Sequence, residues 1–175
     1  MDISVRLVKS PQPYKFPKSA EGQLPWSWVH ERLEASHAYW LVTARPNCVP
    51  HATPVWGVWL DDMLYFDGHP QSRWSRNLSA NPRATVHLES ANAVVIVEGR
   101  VQDVTLPAPE GERLVEAWQA KYGRLEPDPS GSGIFRLVPM TARAWSHEDL
   151  HDGTAFRLNH EVAWWRPGLS SKVVK

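Results

Sequence analysis

Apolar and polar positions along the chain follow a period of two in several short runs and the longer helical period in three others. Ala84, Val86 and Leu88 alternate with Thr85, His87 and Glu89, which predicts a half-buried antiparallel strand over Arg83–Glu89. His37–Ala44 is rich in aromatic and β-branched residues and predicts another strand. His51–Trp59 places Ala52, Pro54, Trp56 and Val58 on one side and Thr53, Val55, Gly57 and Trp59 on the other. Both sides are largely apolar, so both are expected to be covered. Pro54 lacks a ladder donor and belongs at an edge or bulge, while Gly57 permits a bulge or a close approach. Such a strand has core on one side and a ligand or second subunit on the other, or is an ordinary buried strand with a proline bulge. Asp61-Asp62 turns it into Leu64–Asp67. Ala93–Val104 contains the continuously apolar Val94–Val97, which predicts burial on both faces. Ile134–Val138 and Thr141–Ser146 read as the last core strands, with Gly153–Leu158 and Val162–Trp165 as short additions.

Helical spacing predicts Pro25–Ala35, with Trp26, Val29 and Leu33 on one face. Gln71–Ala80 is a short helix whose Trp74 and Leu78 face the core, ended by Asn81-Pro82. Pro109–Tyr122 carries the stripe Leu114, Trp118 and Tyr122 and stops at Gly123. Arg45-Pro46-Asn47 marks a turn in which Asn47 tolerates left-handed geometry, and Leu125–Gly133 is the plainest loop. The strands come in consecutive runs and do not alternate with helices. That implies a mainly β (α+β) fold, an antiparallel small barrel or strongly bent sheet of about six strands with peripheral helices.

With 175 residues the chain fits one domain, expected over 25–150, with an aperiodic N-terminal arm (1–24) and a C-terminal extension (151–175). The formal net charge is zero, which removes the broad electrostatic case for nucleic acid or an anionic membrane as partner. No apolar run approaches the ~20 residues a membrane span needs, and the polar start has no apolar signal core. Cys48 is the single cysteine, which excludes an intramolecular disulfide and suits a reducing cytoplasm.

Two stretches bear candidate chemistry. Ser72, Arg73 and Arg76 flank the start of a short helix, where unpaired N–H groups favour an anion and guanidinium groups add charge-assisted hydrogen bonds to phosphate. Alternatively, such residues are simply solvated on a surface helix. His147-Glu148-Asp149-Leu150-His151 matches H-E-x-x-H, which on a helix gives two zinc ligands and a general base, with Glu161 available as a third ligand. No helical pattern surrounds it and Gly153 follows directly, so a zinc hydrolase stays a remote alternative.

Taken in order, PHATPVWGVW, LYF, SRWSRNL, NPRATVHLES and VVIVEG, with Trp145 after Arg143, resemble the pyridoxamine 5′-phosphate oxidase-like split β-barrel family of flavin and deazaflavin oxidoreductases. The resemblance covers about Trp28 to Trp145. It implies a split β-barrel and a homodimer, with FMN, or alternatively the deazaflavin coenzyme F420, in clefts between the subunits. A strand like Thr53-Pro54-Val55-Trp56, opened by His51, then borders the isoalloxazine. A segment like Ser72, Arg73, Trp74, Arg76 and Asn77 holds the phosphate end. The cofactor carries the hydride to or from a small substrate, and neither a catalytic acid or base nor a metal is required. Trp74 stands where the family pattern Ser-x-Lys-x-x-Asn-Leu has lysine, and Gly153-Thr154-Ala155-Phe156 lacks the Thr-Arg-Trp string of relatives. Those departures keep open a binding protein on the same scaffold that holds a flavin, haem or other flat ligand without turnover.

Overall fold

Residues 2–7, 24–123, 127–131, 133–146 and 151–159 are described by the computed structural model. In chain order they form β1 (Asp2–Leu7), α1 (Trp26–Ala35), β2 (Tyr39–Ala44), β3 (Pro50–Val55), β4 (Gly57–Leu60), β5 (Met63–Asp67), α2 (Arg73–Ala80), β6 (Arg83–His87), β7 (Ala93–Val104), α3 (Ala108–Tyr122), β8 (Ile134–Ser146) and β9 (His151–Asn159). The main sheet path is β1-β9-β8-β7-β6-β2-β3, with β5 on β8 and β4 on β5. The pairings are antiparallel.

One break closes the barrel. The single strand expected over His51–Trp59 is two, separated at Trp56: β3 pairs with β2, and β4 pairs with β5. The same run of chain therefore joins both ends of the path β2-β6-β7-β8-β5. Counting β3 and β4 as one bent strand gives the six-stranded split barrel, with β9 and β1 appended beyond β8. Pro54 lies on β3 at the end of the main path, where its missing N–H interrupts no central ladder.

Local chemistry explains the other boundaries. Asp61 and Asp62 both have positive φ, 51° and 58°, giving the β4–β5 hairpin the primed turn that matches strand twist. In the β2–β3 turn the left-handed residue is Cys48, φ 63°, and not Asn47. The two strands expected on either side of Pro139-Met140 are the continuous β8, because Met140 is absorbed as a bulge: Glu98 faces Thr141 while Gly99 faces Pro139. Gly123 ends α3 with φ 68°. The segment expected as an aperiodic arm supplies β1, and the extension supplies β9, which pair from Asp2–Asn159 to Leu7–Thr154. The piece expected over Val162–Trp165 lies outside the described residues.

Two apolar cores result. Inside the barrel, Tyr39, Leu41, Leu64, Phe66, Val86, Val95, Val97 and Leu137 meet Val29 and Leu33 of α1. Beneath α3, Leu114 and Trp118 pack on Val58, Tyr65 and Ile134. β4 is thus covered on both faces. The opposite face of β2, β3, β6, β7 and β8 is not: Trp40, Val42, Ile96 and Trp145 are half-buried, and Ala52 and Pro54 are exposed. The expectation that β3 and Val94–Val97 are covered on both faces does not hold within one chain. Periodicity told which residues share a face, but not what lies over it.

Candidate functional site

The side chain of Ser72 caps α2: in extended geometry it accepts from the Ser75 N–H at 3.2 Å. The helix packs on β2 and β3. Asn77 Nδ2 donates to Thr43 Oγ1 at 2.9 Å, and both residues are buried. Trp74 turns inward, with ring centroids 4.8 Å from Phe135 and 5.5 Å from Phe66. Its six-membered ring fills the space beside Gly68, where an added Cβ would come within 2.3 Å of it. With residues 74, 75, 77 and 78 committed to the barrel, Arg73 and Arg76 point to solvent. Among the described residues neither makes an ion pair. The result is a helix N-terminus with a hydroxyl and two exposed guanidinium groups, chemistry suited to phosphate.

On β3, His51 and Thr53 lie opposite the buried Thr43 and Leu41 of β2, on the barrel side where α2 sits, and both are half-buried. The structure therefore puts α2, which carries Ser72, Arg73 and Arg76, on the same side of the sheet as His51 and Thr53. The other sequence candidates are placed differently. The side chains of Val55, Trp74 and Asn77 are core groups, because a short amphipathic helix and an alternating strand give their apolar sides to the interior. Pro54 faces the opposite side of the sheet, across from Trp40. Trp56 sits at the strand break, 39% exposed.

A cluster at that break escaped the sequence reading. Gly57 N–H donates to Tyr122 Oη at 2.9 Å, and Gly57 O accepts from Lys121 Nζ at 2.9 Å. Tyr122 Oη lies 2.8 Å from the carbonyls of both Gly57 and His37. Lys121 also donates to Tyr39 Oη at 3.1 Å. Burial lowers the Lys121 ammonium to about 8, opposed by the charge of Glu34. Burial likewise raises the phenols of Tyr39 and Tyr122 above their ordinary value. Tyr122 was legible as part of the α3 stripe. Lys121 was not, since a lysine in a last helical turn ordinarily points to water and complements the dipole.

A second clamp joins α3 to the sheet: Tyr65 Oη donates to Glu110 at 2.7 Å and Arg136 pairs with the same carboxylate at 3.1 Å. Burial, then the Glu110 hydrogen bond, pushes the Tyr65 phenol up to about 12. On the half-covered outer face, a groove of about 410 Å³ runs past Val42, Arg83, Thr85, Glu98 and Met140, and none of the sequence candidates lines it.

The H-E-x-x-H reading loses its premise. His151 opens β9 and pairs with Ser146 at the end of β8, so the motif does not lie on one helix. His147 and Glu161 are outside the described residues, and among those described no group of His, Cys, Asp or Glu is arranged to hold a metal. No helix among them is long and apolar enough to cross a membrane.

The family model described as pyridoxamine 5′-phosphate oxidase matches residues 28–146. A pyridoxine/pyridoxamine 5′-phosphate oxidase of Cupriavidus necator is 30% identical over 78% of this chain and 80% of its own length. Among solved structures, a conserved hypothetical protein from Mycobacterium tuberculosis superposes with TM-score 0.63 at 21% identity, covering 85% of this chain and 98% of that one. An F420 reductase superposes with TM-score 0.52 at 24% identity, covering 65% of this chain and 94% of that one.

Proposed function

The chain belongs to the pyridoxamine 5′-phosphate oxidase family, and from that premise we propose that it is an oxidoreductase that uses FMN, with coenzyme F420 as the alternative, on a small substrate. The observation that carries this reading is the group of half-buried Ser72 and exposed Arg73 and Arg76 at the start of α2, beside the barrel margin formed by β3. Ser72 keeps a hydroxyl proton to donate even while its oxygen caps the helix. Arg73 and Arg76 supply bidentate donors for a phosphate. β3, at the end of the sheet path with His51 and Thr53 towards α2, suits a border for a flat ring. Trp74 and Asn77 do not fit a direct role, because their side chains are spent on the core and on Thr43. When bound, a flavin supplies the hydride chemistry, and this chain's side chains orient it and neutralise its phosphate.

We read the active unit as a homodimer. The half-covered face bearing Trp40, Val42, Ile96 and Trp145 is apolar enough to need a partner, and the groove past Arg83 and Glu98 lies on it. Residues 25–150 are taken as the domain, with 1–24 and 151–175 as additions to it. The exposed lone thiol of Cys48 suits a cytoplasmic setting.

Titration of the purified protein with FMN and, separately, with F420, followed by tryptophan fluorescence, tests the cofactor. Saturable quenching at micromolar concentration by one of them is expected, and no binding of either to the folded dimer refutes the proposal. The absence of a cation at Trp74 favours a second reading, a binding protein without turnover. Steady-state reduction of an electron acceptor by the reduced cofactor excludes it.

A further inference from the structure

At the β3–β4 break the chain changes ladder partner, and a change of partner leaves backbone groups to be satisfied by other means. Val55 is the last residue facing β2, Gly57 the first facing β5, and Trp56 between them belongs to neither strand. Two adjacent residues at the end of α3 fill the gap. Tyr122 takes the Gly57 N–H, and Lys121 and Tyr122 both reach the Gly57 carbonyl. Gly57 has no room for a side chain, since an added Cβ would lie 2.6 Å from the Tyr65 carbonyl oxygen. The Tyr122 ring also lies parallel to the indole of Trp56, centroids 5.1 Å apart and planes within 9°, while His37 meets the indole edge-on at 6.1 Å. Stacked in this way, Trp56 still keeps 39% exposure, so part of this large apolar residue stays open to a ligand.

We propose that Lys121 and Tyr122 are positioning residues: they fix the β3–β4 junction through Gly57 and so hold Trp56 as a platform on which the flat ring of a flavin or deazaflavin stacks. The inference rests on the cofactor reading above, and its test has a readout that does not depend on it. The groups around Lys121 are Glu34 of α1, His37 before β2, Tyr39 of β2 and Tyr122 of α3, with Asp67 at the end of β5 acting on Tyr122. Loss of the Lys121 proton removes the charge from its hydrogen bonds to the Gly57 carbonyl and to Tyr39 Oη.

The Trp56 signal is the difference in emission between the wild type and Trp56→Phe, followed from about pH 6 to about pH 10. A step is expected near pH 8, where Lys121 loses its proton. It should persist in His37→Gln and vanish in Lys121→Met. Lys121→Met should also weaken FMN binding about tenfold (~1.4 kcal/mol), and Lys121→Arg should restore most of it. Tyr122→Phe keeps the stacked ring and removes only the hydroxyl, so it should keep the pH step but change the Trp56 emission and weaken FMN binding, which tests the junction should Lys121→Met fail to fold. A Trp56 signal and FMN affinity unchanged in Lys121→Met, or in Tyr122→Phe, overturn the proposal. If the wild type binds no FMN, the cofactor reading fails while the Trp56 step still decides whether Lys121 fixes the junction.

Discussion

Trp74→Lys restores the cation that the family pattern carries between Ser72 and Asn77, and the fold predicts that the repair fails. Trp74 is 8% exposed and wedged against Phe66, Phe135 and Gly68. A buried tryptophan removes ~150–250 Å² from water, worth ~4–6 kcal/mol at about 25 cal/mol per Å². The lysine stem recovers roughly half of that by packing its methylenes while the head seeks water. The lost ring contacts add ~1 kcal/mol. The net cost is about 3–4 kcal/mol, in the lower part of the ~3–5 kcal/mol seen when large aromatic side chains are truncated. For a chain of this size that lowers Tm by ~6–16 °C. Thermal unfolding followed by circular dichroism, with FMN titration on the same samples, checks both halves. Trp74→Phe is the control and should lose less stability, since it keeps an aromatic ring beside Phe135. A Trp74→Lys protein as stable as the wild type that binds FMN more tightly would refute the reasoning, because residue 74 would then face the ligand and not the core.

Four further outcomes are expected. Asn77→Ala should cost about 2 kcal/mol by leaving Thr43 unpaired in the core, and a double-mutant cycle with Thr43→Val in urea should show ~1 kcal/mol of coupling; zero coupling would dissolve the inferred link between α2 and β2. Cys48→Gly should raise stability by up to ~1 kcal/mol, because Cys48 holds φ 63°, although glycine's freedom in the unfolded chain offsets part of the gain; a lower Tm would contradict this. Replacing Arg73 and Arg76 by alanine should leave stability within ~0.5 kcal/mol, yet weaken FMN binding and flatten its salt dependence, as isothermal titration at two ionic strengths would show. Stability should rise with pH from about 8 to about 10: Lys121 gives up its proton at the lower value in the fold and at the ordinary one when unfolded, so the unfolded chain holds more protons in between. Above about 10 the sign reverses, because Tyr39 and Tyr65 ionise earlier unfolded than folded. Urea midpoints across this range should lose their rise in Lys121→Met.

Sequence alone carried the strand and helix types, because a period of two or of 3.6 is a local property of which residues can share a buried face. Arg83–His87, Ala93–Val104 and the α3 stripe with its closing Gly123 were legible for that reason. The edge position of Pro54 and the ordered strings that resemble one family were legible too. The anion-type chemistry of Ser72, Arg73 and Arg76 could be read from residue type and spacing. The structure added their direction, by spending Trp74, Ser75, Asn77 and Leu78 on the barrel.

Tertiary structure decided what depends on partners distant in the chain. A largely apolar run from His51 to Trp59 does not reveal that Val55 answers to Tyr39 and Gly57 to Phe66, so the break at Trp56 and the barrel closure it makes were invisible locally. Nor does the chain around Lys121 announce that its ammonium is turned inward onto a carbonyl 64 positions away. The H-E-x-x-H string failed for the same reason: His151 is claimed by a strand pairing with β8, and pairing across the chain overrides a pattern that only a helix makes meaningful.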